Sequence, residues 1–220
     1  MSGFFNLDNP FFSIMGKIFD MMVISVVYIL ICIPIITIGP ATTALYYVVV
    51  KVIRRERGYV FREFFKSFKL NFKKGTLIGV LLTIVQLILI FDLYYAWNLL
   101  EIEPQKASIL LGVFISLNLL SIGFSIYVFP MLSRFEMSFK QLIKGGIYMC
   151  LRHLPYTILM VVTFLISAVV TILSGFLFAF IGPALTMLVI SLMMERVLRR
   201  YMPESKGQPK DTGIDEWYLE

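Results

Sequence analysis

One histidine and two cysteines in 220 residues leave almost nothing from which a metal site or thiol chemistry could be built. Cys32 lies within an apolar run and Cys150 beside one, outside any CxxC spacing, so both read as small buried hydrophobes. No disulfide, metal or cofactor is expected. Enzyme signatures are missing as well: there is no GxSxG elbow, no HExxH and no P-loop. His153 could serve as a base, but a lone histidine beside Arg152 and Pro155 reads more simply as an interfacial or capping residue. The expectation is a protein without catalysis. The amino-terminal MSGFFNLDNPFF has no basic n-region and no small-residue cleavage site after a short apolar core, so the first apolar span is expected to be retained. Charge is scarce too, at 15% of residues.

What fills the chain instead is hydrocarbon: 59% of residues are hydrophobic and the mean hydropathy is +0.85. A water-soluble globule has an apolar share nearer one half, so the fold class expected is an all-α, polytopic integral membrane protein. Six transmembrane spans are read at about 18–38, 41–55, 75–97, 107–132, 155–173 and 183–198, paired as three hairpins. Together they make one helical domain over 1–202, followed by a polar cytoplasmic tail, 203–220. Residues 1–16 read as an amphiphilic lead-in. Pro34 should bend the first span, Gly39-Pro40 should end it, and Phe129-Pro130 should close the fourth. Residues 174–180, SGFLFAF, read as a compact turn.

The net charge of +6 would suggest nucleic acid in a soluble protein. Here the cations sit at the ends of apolar spans, where the positive-inside rule accounts for them, and no nucleic acid is expected. With six spans, all but one of the twenty Lys and Arg residues fall on one face, the exception being Lys106. That bias is expected to place both termini and both basic loops in the cytoplasm.

Nine of those cations lie between Lys51 and Lys74. On a helical wheel Phe61, Phe64, Phe65, Phe68 and Phe72 form one stripe, with Arg62, Lys66, Lys69 and Lys73 beside it. This reads as an interfacial helix, its rings in the acyl boundary and its cations among anionic headgroups. FFKSFKLNFKKG is echoed at residues 135–146 by FEMSFKQLIKGG, so Phe135, Phe139, Lys140 and Lys144 are expected to form a second such helix on the same face. The pair would make either a headgroup anchor or a cradle for a cytoplasmic partner.

A second repeat is shorter: Ile38-Gly39-Pro40-Ala41 recurs as Ile181-Gly182-Pro183-Ala184. Short, Gly/Pro-interrupted helices in matching positions point to a transporter's solute site, because their free N–H groups and positive dipole ends can face a bound solute. Thr37, Gly39, Pro40, Thr42, Thr43, Gly182, Pro183 and Thr186 are the residues that would line it. The plainer reading is a tight turn between packed helices, with the threonines bonded to backbone. Gln86 and the row Ser116, Asn118, Ser121 and Ser125 read as glue between helices rather than a permeation path. No acid lies at mid-span, where ion-coupled transporters usually place one.

The chain resembles the YesL family of bacterial membrane proteins. The resemblance is carried by NLDNP (6–10), ITIGPATTALYYV (36–48), the FFKSFKLNFKKG loop, FPMLSRF (129–135) and RHLPYT (152–157). It implies a small polytopic protein of Gram-positive bacteria, often encoded beside carbohydrate ABC importers and sugar-degrading enzymes. An accessory or regulatory role in carbohydrate uptake follows, with importer subunits as partners; a small-solute transporter or channel at the paired IGPA turns is the alternative.

Overall fold

A computed structural model describes residues 10–201; the expectations for residues 1–9 and for the 203–220 tail lie outside the described residues. Described residues form helices and turns, with no strand among them. α1 spans Pro10–Cys32. It absorbs residues 10–16, which were expected to be a separate lead-in. It also stops two residues before Pro34 rather than bending there, because proline disfavours helical geometry in its predecessor. After a 3₁₀ turn at Ile35–Thr37, α2 runs Ile38–Val48 and widens into a π-helical turn, Val49–Arg54. Pro40 therefore sits inside the first turn of α2, where its missing N–H would have no partner in any case.

The largest departure from expectation follows. Residues 55–59 make a tight reversal, with Glu56 and Gly58 at φ of 57° and 91°, and α3 then runs unbroken from Val60 to Leu99. Forty residues make a helix about 60 Å long. The basic stretch is thus not a separate interfacial helix: Lys51 and Arg54 end α2, and Arg62 to Lys74 form the first turns of α3. Nothing between Asn71 and Gly75 breaks a helix, and so α3 continues. α4 spans Pro104–Arg134, passing through Pro130, which was expected to end it. The 133–153 loop holds α5, Phe139–Arg152, opened by a capping box between Ser138 and Gln141. α6 (Leu154–Leu173) and α7 (Gly182–Leu198) are joined through Gly175, Phe176 and a 3₁₀ turn at Leu177–Phe180.

By length and composition, five helical segments can cross a membrane: Ile14–Cys32, Ile35–Arg54, Val60–Leu99, Pro104–Arg134 and Leu154–Leu173. The sixth expected span, α7, has 17 residues and carries Glu195 and Arg196. At about 25 Å it falls short of the ~30 Å hydrocarbon core.

α2 is the centre of the packing, with nine of its eleven residues buried and with α1, α3, α4 and α7 around it. It meets α3 backbone to backbone. A Cβ placed on Gly39 would lie 2.0 Å from the Gly75 carbonyl oxygen, and one on Gly79 would lie 2.8 Å from the Gly39 Cα. Only glycine permits that approach. Beyond this crossing α3 and α4 run on as a hairpin, where Gln86 Nε2 donates to Asn118 Oδ1 at 2.6 Å and Asn118 Nδ2 donates to the Phe114 and Leu89 carbonyls. Asn118 bridges the two helices, whereas Ser116 and Ser125 bond back to their own helix. Leu77, Leu81, Ile84, Ile88 and Phe91 face outward, as a lipid-facing surface requires.

Candidate functional site, a cation-lined groove

The charged ends of the helices converge. Lys17 pairs with Glu56 at 2.5 Å, joining the start of α1 to the α2–α3 reversal. Lys51 Nζ is 2.9 Å from Glu63 Oε2 and 3.1 Å from the Tyr47 hydroxyl, all on or beside the α2–α3 contact. Arg54 Nη1 donates to the Ser191 carbonyl of α7 at 3.1 Å. Arg134 Nη2 and the Tyr46 hydroxyl both donate to Glu195 Oε1, the latter at 2.6 Å, so one carboxylate ties α2, α4 and α7 together. Arg134 and Glu195 are 2% and 3% exposed. Buried charges of opposite sign survive only with this kind of hydrogen-bonded pairing.

Against this scaffold lies a groove of about 780 Å³ between the first turns of α3 and the α4–α5 connection. Lys66, Lys69, Lys73 and Lys74 line one wall, with Ser67, Asn71 and Leu70; Leu132, Ser133, Phe135, Glu136, Met137 and Ser138 line the other. Spacings of three and four residues put Lys66, Lys69 and Lys73 on neighbouring positions of one α3 flank. Opposite them the lining offers one acid, Glu136. Lys74 Nζ reaches across to the Met137 carbonyl at 3.0 Å and so fixes the groove's width. The arrangement suits an anionic, partly apolar ligand: cations for carboxylates or phosphates, and Leu70, Leu132 and Phe135 for a hydrophobic side chain.

The expected docking residues are divided by the fold. Lys66, Lys69, Lys73 and Phe135 share the groove. Phe64 does not, because it is fully buried against the core, with Phe68 half-buried beside it. Phe61, Phe65 and Phe72 remain exposed, as does Arg62. Phe139, Lys140 and Lys144 belong to α5 and lie outside the groove lining. The apolar stripe was legible in the sequence, but a 3.6-residue period does not say whether lipid or protein covers it.

The solute-site residues are likewise scattered. Thr37 Oγ1 donates to the Pro34 and Ile31 carbonyls at the α1–α2 turn. Thr43 bonds to the Gly39 carbonyl in full burial, and Thr186 bonds to the Gly182 carbonyl and Ser167. The amide of Ala184, at the start of α7, is capped by Ser25 Oγ of α1 at 3.1 Å. Gly39 and Pro40 are spent on the contact with Gly75, and Gly182 packs on the Phe178 ring. Pro183 sits in the first turn of α7. Thr42 opens on a cavity of about 390 Å³ shared with Tyr28, Thr83, Gln86, Ser125 and Phe164. Within it Tyr28 and Thr42 are hydrogen-bonded at 3.1 Å.

His153 is buried at the α5–α6 junction, its Nε2 2.9 Å from the Tyr201 hydroxyl. Burial, then the nearby charges of Arg200 and Arg152, hold its pKa below the ordinary imidazole value, so it stays neutral at physiological pH. It acts as a clasp for the end of α7. Sequence reasoning missed both this partnership and the Gly75-x-x-x-Gly79 contact, although the latter carries a recognised small-residue signature.

These features define an all-helical, membrane-embedded protein with a cation-lined groove at the end where its charged residues gather. Residues 21–93, which include the Gly39 crossing and all four groove lysines, match a family described as "Protein of unknown function, DUF624". The chain is also 25% identical over 101 residues to "Uncharacterized protein YesL" of Bacillus subtilis (strain 168), a match covering 46% of this chain and 46% of that protein. The chain is thus similar to YesL over part of its length, in line with the resemblance carried by its motifs, and the match spans only about half of the relative's length. No solved structure matches it.

Proposed function

We propose that the protein is a non-enzymatic, multi-pass component of the bacterial cytoplasmic membrane that docks a partner in its basic groove, as an accessory or regulatory element of carbohydrate uptake. The observation that carries this reading is four lysines facing one acid across an open groove of about 780 Å³. Positive-inside bias favours an orientation with the groove and both termini in the cytoplasm and α7 completing the sixth crossing. There the groove meets anionic headgroups and acidic protein segments. The family resemblance supplies the partner class, the subunits of an ABC-type carbohydrate importer. Co-expression with neighbouring importer subunits and purification in mild detergent tests it. Lys66→Glu, Lys69→Glu and Lys73→Glu together should cut recovery of importer about tenfold, the sum expected of three exposed ion pairs, with membrane insertion unchanged. Recovery of no subunit by the parent protein, or equal recovery by the variant, would sink the proposal.

A second reading, small-solute passage, is favoured by one observation: the cavity at Thr42 brings several hydroxyls and the Gln86 amide together among apolar helices. Thr42→Val should then lower oligosaccharide flux into proteoliposomes several-fold. Absent or unaltered flux removes this reading.

A further inference from the structure

We infer that the chain's own carboxy-terminal segment, residues 211–220, seats in the basic groove, so that the docking site is occupied in cis until a partner displaces it. This rests on the reading above only in treating the groove as a peptide-docking surface. Three observations support it.

The first is chemical complementarity. The segment reads DTGIDEWYLE, with Asp211, Asp215, Glu216 and Glu220 as its charged side chains and no cation among them. The groove offers four lysines against one acid, with Leu70, Leu132 and Phe135 between them. Acidic side chains at 215 and 216 followed directly by Trp217, Tyr218 and Leu219 are what a wall of alternating cation and hydrocarbon would hold. Such a segment is also ill-suited to a cytoplasmic leaflet whose surface is negative.

The second is anchorage. The last described residue, Tyr201, is held by His153 and stacks edge-on against it at 5.9 Å and against Tyr148 at 6.5 Å, all beside the end of α5. The other end of α5 begins at Phe139, next to the groove residue Ser138. Glu195, less than two turns before Tyr201, is bonded to Arg134, the neighbour of Phe135. The tail therefore leaves the fold close to the groove and on the same end of the bundle.

The third is reach. α5 has 14 residues, so the groove lies about 20 Å from the anchorage if measured along its axis. The fourteen residues after Tyr201, from 202 to 215, include Pro203, Gly207, Pro209 and Gly213. By random-coil scaling fourteen residues span about 20 Å, near the optimum for intramolecular binding.

Trp217 is the natural reporter, since the chain's other tryptophan, Trp97, lies at the far end of α3 and can be changed to Phe. The full chain with Trp97→Phe, in nanodiscs of uncharged phosphatidylcholine, should show Trp217 shielded from acrylamide, a neutral quencher. Lys69→Glu with Lys73→Glu should expose it, and adding Asp215→Lys with Glu216→Lys should restore the shielding. An unshielded Trp217 in the parent overturns the proposal. So does shielding indifferent to the lysine changes, which places the tail elsewhere, and so does exposure without rescue, which shows that the groove was altered rather than vacated. Importer recovery measured on the same variants separates the two readings. If Trp217 is free while the lysine variants still lose the importer, partner docking stands and self-occupancy falls. If self-occupancy holds, ending the chain at Met202 should raise importer recovery.

Discussion

Gly39→Ala should strongly destabilise the bundle, whereas Gly112→Ala, an equally small change in α4, should leave it intact or slightly stabilised. A methyl group at position 39 would lie 2.0 Å from the Gly75 carbonyl oxygen and 3.0 Å from the Gly79 Cα, all backbone atoms that no rotamer change can move. One at position 112 meets nothing within 4 Å. Overpacking of a side-chain core costs about 1–3 kcal/mol. Here two helices must separate along their whole contact, so the cost should reach the top of that range, a large part of a typical fold's stability. The Gly112 change should gain the few tenths to 1 kcal/mol by which alanine exceeds glycine in a helix. Thermal unfolding of both variants in detergent, followed by circular dichroism and retention in the monodisperse peak, reads the difference. Equal stability of the two would show that the α2–α3 crossing is not as close as drawn.

That crossing also shows where sequence reasoning succeeds and stops. Helix existence and order were legible because apolar runs of about 20 residues have few alternatives in a membrane. The hairpin turns at 33–37, 100–103 and 174–181 fell near their Pro, Glu and Gly punctuation. Two boundaries were misplaced for opposite reasons. Pro130 was read as a terminator, yet losing one hydrogen bond does not end a helix whose neighbours hold it, and Arg134 closes α4 instead. Gly75 was read as a fresh start, yet a helix with favourable residues on both sides runs through glycine, and its missing side chain serves the contact with Pro40. The groove was half legible: the lysine spacing showed one flank of a helix, but the facing wall, residues 132–138, comes from about sixty positions away. Local periodicity carries no information about such pairing. Glu195 was visible only as an acid at a span end, since nothing near it in the sequence names Arg134 or Tyr46.

Glu195→Ala should be the most damaging single change at the charged end. Its Oε1 accepts from Tyr46 and Arg134, on helices separated by 149 and 61 positions in the chain. Removing it takes the carboxylate away from a guanidinium that is 2% exposed, and breaking one side of such a buried pair costs about 3–5 kcal/mol. Tyr46→Phe removes one hydrogen bond to a charged acceptor and should cost about 1.5–3 kcal/mol. Arg134→Met combined with Glu195→Leu replaces the pair by hydrocarbon of similar bulk, and by the same argument should lie closer to the parent than Glu195→Ala does. Unfolding of the four proteins in one detergent gives the ordering and, with Arg134→Met and Glu195→Leu each alone, the coupling energy. A double variant no more stable than Glu195→Ala would show that the cost is packing around α7 rather than an uncompensated charge. The consequence reaches the groove, because Arg134 precedes Phe135 in its wall and Glu195 fixes the helix from which the tail departs. Glu195→Ala should therefore loosen both sides of the proposed self-contact, while the charge-neutral pair of substitutions leaves Trp217 shielded.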